Sequence, residues 1–151
     1  MKPQQYLEAG EFIDSSHPDV QAFADRVTVS AASAVTRAVK LYNAVRDEIL
    51  YDPYYVGDAR PYFRASDCLH AKRGFCIPKA ALLAATARAV GIPARLGYAD
   101  VRNHLSTQRL KELVGGDLFI WHSFAKLYLD DRWVKATPAF NLSLCNASAS
   151  A

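Results

Sequence analysis

Apolar residues recur at Val35, Ala38, Val39, Tyr42, Val45, Ile49 and Leu50 with a helical period sustained over several turns, which predicts a long helix there. Ahead of it, Asp14, Ser15 and Ser16 precede Pro18, a cap-plus-proline start, and Val20, Phe23 and Ala24 share one face, predicting a first helix over 14–25. Ser66 and Asp67 are expected to cap a short helix carrying Cys68, Leu69 and Ala71, with Gly74 ending it. From Pro78 the chain is nearly all helix formers, with Ala80, Leu83, Ala84, Ala87 and Val90 on the buried side and Gly91 and Pro93 as a stop. Between the long helix and the short one, Pro53, Gly57 and Pro61 interrupt an aromatic stretch (Tyr51, Tyr54, Tyr55, Tyr62, Phe63), which reads as an ordered loop that could line a substrate groove.

Beyond Gly91 the period shortens to that of strands: 94–102, then 118–129, then 132–136 after only Asp130 and Asp131, the last two as an antiparallel hairpin. The connection 103–117 contains a Gly115-Gly116 break and is expected to hold one helical turn or a flap over the sheet. Helices first and strands after predict an α+β domain, N-terminal helices packed on an antiparallel β-sheet. One domain over 1–145 is expected, with 146–151, a Ser/Ala run, as a flexible tail.

Composition adds limits. With 51% hydrophobic and 22% charged residues among 151, a core can form without disulfides or metal. A net charge of +3 without blocks of one sign gives no reason to expect nucleic acid or an anionic membrane as partner. No long uncharged apolar run and no secretory leader pattern are present, so a soluble cytoplasmic protein is expected. Three cysteines, Cys68, Cys76 and Cys145, without a CxxC pair suggest neither a disulfide framework nor zinc, and free thiols fit a reducing compartment. No metal and no cofactor are expected.

Cys76 is placed where its chemistry can change. A thiolate is the attacking species, and a helix N-terminus favours it through unpaired N–H groups that could also hold the oxyanion of a tetrahedral intermediate. Gly74 would let the backbone approach a substrate. Of the four histidines, His17 belongs to a helix cap, His70 to the short helix and His104 to a strand end. His122 sits mid-strand between Trp121 and Phe124, held rigidly and shielded from water. The plain alternatives are a core cysteine and a strand histidine bonded to a backbone carbonyl.

The segment Gly74-Phe75-Cys76, Lys79-Ala80, Leu82-Leu83, Arg88 and Gly91-Ile92-Pro93-Ala94-Arg95 resembles the cysteine motif of the transglutaminase-like superfamily. Trp121-His122-Ser123-Phe124 through Asp130-Asp131-Arg132-Trp133-Val134 resembles its histidine strand, turn and tryptophan strand, and the likeness runs over about residues 35–141. It implies a papain-like α+β fold with Cys76 as nucleophile and His122 as base, forming a thioester on a peptide or protein substrate. Trp121, Phe75 and Gly74 would line the acyl site. Where the family usually has an aspartate that orients the histidine, this chain has Thr137; Thr137 or Asn141 would have to fill that role. Water as acceptor makes a protease or amidase and an amine a transglutaminase, with hydrolysis preferred; the rival is a silent domain that binds a peptide or protein in the same groove. Oligomeric state stays open. Arg88 and Arg95 read as bridges between helix and sheet, Trp133 as core, and Cys68 and Cys145 as structural.

Overall fold

The computed structural model describes residues 3–55, 63–102, 118–139 and 141, without the side chains of 99–102 and 118–122. The connection 103–117 with His104, the tail 146–151, Tyr62 and Cys145 therefore lie outside the described residues.

After one turn of 3-10 helix, Gln4–Leu7, come α1 (Pro18–Thr28) and α2 (Ala34–Glu48). Proline opens α1 as expected, but the cap is His17, whose Nδ1 accepts the Asp19 N–H at 3.1 Å. Ser33 caps α2 by accepting from the Thr36 N–H. The buried stripe of α2 is Ala38, Leu41 and Val45. Val35 and Val39, expected inside by their period, are exposed, because they flank an open groove of about 540 Å³ that also involves Tyr42, Leu129 and Val134.

The aromatic stretch does not begin as a loop. Leu50–Tyr51 forms a short strand β1, paired in parallel with β2 (Arg73–Gly74) through Leu50↔Arg73 and Tyr51↔Gly74. Between them α3 (Ala65–Ala71) starts without a side-chain cap and ends at Lys72, not Gly74; Lys72 takes the left-handed conformation (φ 57°) and returns its N–H to Cys68 O. Gly74 is glycine for packing: a Cβ there would stand 3.1 Å from both Cys68 Sγ and Pro78 Cγ.

The central element is α4 (Cys76–Ala89), buried from Pro78 to Ala87 on every side. Its small residues let α1, α2 and α3 close on it from one side and the sheet from the other. Gly91 (φ 84°) turns the chain out of α4 into β3 (Ala94–Arg102). The Arg88 guanidinium fastens that turn by donating to Ala94 O at 2.9 and 2.6 Å.

The antiparallel sheet runs β3-β4-β5, with β4 (Leu118–Leu129) between β3 and β5 (Arg132–Ala136). Ser123, Ala125, Leu127 and Leu129 of β4 are buried at alternate positions, the period of a strand with one face on a core. Asp130 and Asp131 both have positive φ (52° and 63°), which twists the β4–β5 hairpin as a two-residue primed turn does. On the opposite face the Phe124 ring lies over Gly97, where a Cβ would come within 2.4 Å of it.

Candidate active site

Cys76 is the first residue of α4, after Phe75 as N-cap, and is half-buried. Burial pushes its thiol up from the ordinary value, while hydrogen bonding from the backbone of Ser123, Ile77 and Cys76 itself works the other way. The balance is upward, so the helix N-terminus alone does not make Cys76 a low-pKa thiol. Cys68 is the contrast: buried, with its thiol pushed up to about 12 by burial, it is inert as the sequence suggested.

The Ser123 backbone bond puts Cys76 beside β4. The β4–β5 ladder ends at Ala125↔Ala136, two residues short of Ser123, and the backbone of Ser123 turns to the Cys76 sulfur. His122 is the next residue back along β4, paired with Ala99. Sequence reasoning thus located two elements that the fold joins; the side chains of His122 and Trp121 lie outside the described residues. Ser123 itself was missed. Its hydroxyl is buried and has no hydrogen-bond partner among the described residues, and its identity in a strand of alternating residues gave no sign of this.

Thr137 directly follows β5, is half-buried, and its carbonyl accepts the Tyr42 hydroxyl at 3.3 Å. Asn141 is otherwise engaged. Its Nδ2 donates to Arg46 O and to Ile49 O (2.8 Å), and its Oδ1 accepts the Tyr51 N–H at 2.8 Å. Both amide protons serve the C-terminal end of α2, so the expectation that Asn141 could orient an imidazole does not fit its bonds; Asn141 clasps α2 and β1 together.

Lys79, three residues after Cys76, makes the same clasp from the other side. Fully buried, its Nζ donates to Arg46 O (3.0 Å), Ile49 O (2.6 Å) and Ala139 O (2.8 Å). Desolvation lowers its pKa from 10.5 to about 8. Sequence reading took Lys79 for an ordinary helix former, though a lysine in the first turn of an otherwise Ala/Leu helix was the available signal. Tyr51 was read as a loop aromatic; burial and, second, the charge of Cys76 push its phenol up, which puts it in the electrostatic neighbourhood of the sulfur.

Phe75, the residue before Cys76, packs edge-on against Phe63, with ring centroids 5.7 Å apart. Arg95 of β3 lies over the Trp133 ring at 4.2 Å and over the Tyr6 ring at 5.5 Å, so it ties the 3-10 turn Gln4–Leu7 to the sheet.

The family model described as the transglutaminase-like superfamily matches residues 21–138, from within α1 to just past β5. The chain belongs to the transglutaminase-like superfamily. Solved structures of similar fold include a candidate cysteine protease from Cytophaga hutchinsonii, with a TM-score of 0.70 and 16% identity over 92% of this chain and 43% of that one. The periplasmic domain of TgpA from Pseudomonas aeruginosa follows at 0.65 and 18%, covering 100% of this chain and 53% of that one. A candidate protease from Parabacteroides distasonis has a TM-score of 0.56 at 17% identity, over 89% of this chain and 24% of that one. The chain thus spans about half or less of the length of these neighbours, and at such identities they establish the fold. No curated protein matches the sequence. Among the described residues no helix is long and apolar enough to cross a membrane.

Proposed function

We propose that this transglutaminase-like domain performs cysteine-dependent acyl transfer on peptide or carboxamide bonds, with hydrolysis as its outcome. The observation that carries the reading is the Ser123 backbone on the Cys76 sulfur, which brings the nucleophile at the start of α4 next to the strand position of His122. His122 takes the Cys76 thiol proton as sulfur attacks the carbonyl carbon. The imidazolium then protonates the leaving amine, and water, deprotonated by the same ring, releases the acid from the thioester. The Cys76 N–H at the first helical position is the candidate oxyanion donor. Thr137, at the end of β5, is the residue left to orient the imidazole, without the negative charge an aspartate would add. Phe75, Gly74 and Trp121 frame the acyl site for a peptide or protein substrate; no nucleic acid or membrane takes part, and the free thiols favour a cytoplasmic setting.

A silent peptide-binding domain is the second reading, favoured by the upward shift of the Cys76 thiol and by threonine at position 137. The two separate on alkylation by iodoacetamide across pH. An imidazolium partner makes Cys76 react at pH 6–7, well below a free thiol at about 8.5, and His122→Ala removes that reactivity. If Cys76 alkylates only as an ordinary buried thiol, no faster than Cys68, the enzymatic reading fails.

A further inference from the structure

Away from Cys76, the start of α1 and the end of α3 bring two histidines and a carboxylate together. His70 Nε2 stands 2.6 Å from Asp19 Oδ2, the rings of His17 and His70 are 5.4 Å apart, and one ligand atom from each of His17, Asp19 and His70 lies within 4.8 Å of the others. Two hydrogen bonds from the start of α3 fix the frame beneath: the Asp14 carboxylate Oδ1 accepts the Ser66 N–H at 3.1 Å, and Phe12 O accepts the Ala65 N–H at 2.9 Å. The three side chains therefore start from a held arrangement, half-buried at His17 and open to solvent at Asp19 and His70.

We propose that His17, Asp19 and His70 form a binding site for one borderline divalent transition metal ion of the zinc class, joining α1 to α3. Two imidazole nitrogens and one carboxylate oxygen are a donor set that such an ion prefers, whereas calcium and magnesium select all-oxygen sites. Tetrahedral ligands about 2.1 Å from zinc stand about 3.4 Å from one another, a spacing bracketed by the 2.6 Å and 4.8 Å found here. The position open to solvent takes a water molecule as fourth ligand.

The proton arrangement shows what the ion replaces. In the metal-free arrangement His70 holds its proton on Nε2, facing Asp19, and His17 keeps the lone pair of Nδ1 for the Asp19 N–H. On binding, the ion takes the place of the shared His70 proton, which moves to Nδ1 of the same ring. His17 gives up its cap bond whichever nitrogen it uses, and the exposed Asp19 N–H turns to water. The Asp19 carboxylate supplies the negative charge that makes a cation tolerable beside a helix N-terminus.

The test is cobalt and zinc titration of untagged protein, in parent and Cys76→Ser forms. Saturable one-to-one binding is expected, with visible d–d absorption for cobalt, no near-ultraviolet thiolate band, and a raised melting temperature with zinc. Cys76→Ser should leave binding intact, and calcium should not compete. His70→Ala and Asp19→Asn, at exposed positions that leave the helices folded by circular dichroism, should each weaken it by about tenfold or more. Absence of saturable binding, a thiolate band, loss of binding in Cys76→Ser, or affinity unchanged by His70→Ala would each overturn the proposal.

Discussion

Replacing Lys79 by methionine probes the clasp under α4 with little change in side-chain length. The substitution removes three hydrogen bonds from a fully buried ammonium. Arg46 O and Ile49 O keep Asn141 Nδ2 as a donor, so Ala139 O is the carbonyl left without the donor described for it. Hydrogen bonds from a charged donor contribute about 1.5–3 kcal/mol each, and an orphaned buried acceptor costs about 1–3 kcal/mol. On the other side, the fall of the Lys79 pKa from 10.5 to about 8 corresponds to roughly 3 kcal/mol against the charged form, a penalty methionine is spared. Three such bonds less the penalty spared leave a loss at pH 7 of at least about 2 kcal/mol, or at least about 4–8 °C in melting temperature.

The pH dependence separates this reasoning from a simple packing defect. Between pH 8 and 10.5 the unfolded chain holds a proton on Lys79 that the folded chain has released, so the parent's stability rises with pH across that window, by up to roughly 3 kcal/mol. Lys79→Met has no such rise. Denaturant unfolding followed by tryptophan fluorescence should therefore give a difference between the two proteins that widens from pH 7 to pH 10.5. A methionine variant as stable as the parent at pH 7, the outcome known when buried charges are replaced by well-packed apolar groups, would refute the ledger. A difference that stays flat with pH would refute the placement of the Lys79 pKa.

Asn141→Ala strips donors from Arg46 O and Ile49 O and the acceptor from the Tyr51 N–H; a loss of about 2–3 kcal/mol in denaturant titration is expected, with the pH profile of Cys76 alkylation unmoved. Thr137→Asp, which adds the charge that threonine lacks, should raise the alkylation rate of Cys76 at pH 7 by about tenfold or more, and an unchanged rate would remove Thr137 from the site. Gly97→Ala forces the Phe124 ring off the sheet, since the new Cβ would meet it at 2.4 Å; about 1–3 kcal/mol of destabilisation is expected, measured by thermal unfolding.

What the chain made readable was whatever rests on period and punctuation. The two long helices and the β4–β5 hairpin with its Asp130-Asp131 turn follow from local rules and came out in place, while α4 begins at Cys76, two residues before the expected Pro78. Leu41 against Val35 and Val39 did not, because helical periodicity gives a stripe about as wide as the apolar surface and tertiary contacts choose its centre. The β1–β2 pair was illegible for a different reason: two residues per strand carry no period, and their parallel pairing is long-range. Lys79 and Asn141 were misjudged because their partners are backbone carbonyls, which are the same at every position and leave no trace in side-chain identity. In the candidate site, Cys76 and the His122 strand were legible as a pair of motifs, while the Ser123 contact that joins them depends on where β5 stops.

That β1–β2 pair also has an evolutionary and engineering meaning. Because Tyr51↔Gly74 pins the chain immediately before Cys76 to the chain leaving α2, everything between Asp52 and Lys72 is an excursion that begins and ends at one fixed point. Doubling the length of such an excursion costs only about 0.6 kcal/mol of closure entropy. Added length ahead of α3, whose Ala65 and Cys68 belong to the core, can therefore be tolerated there while the backbone that carries Cys76 keeps its anchorage; the hem, and not the cloth hanging from it, sets where the sulfur sits.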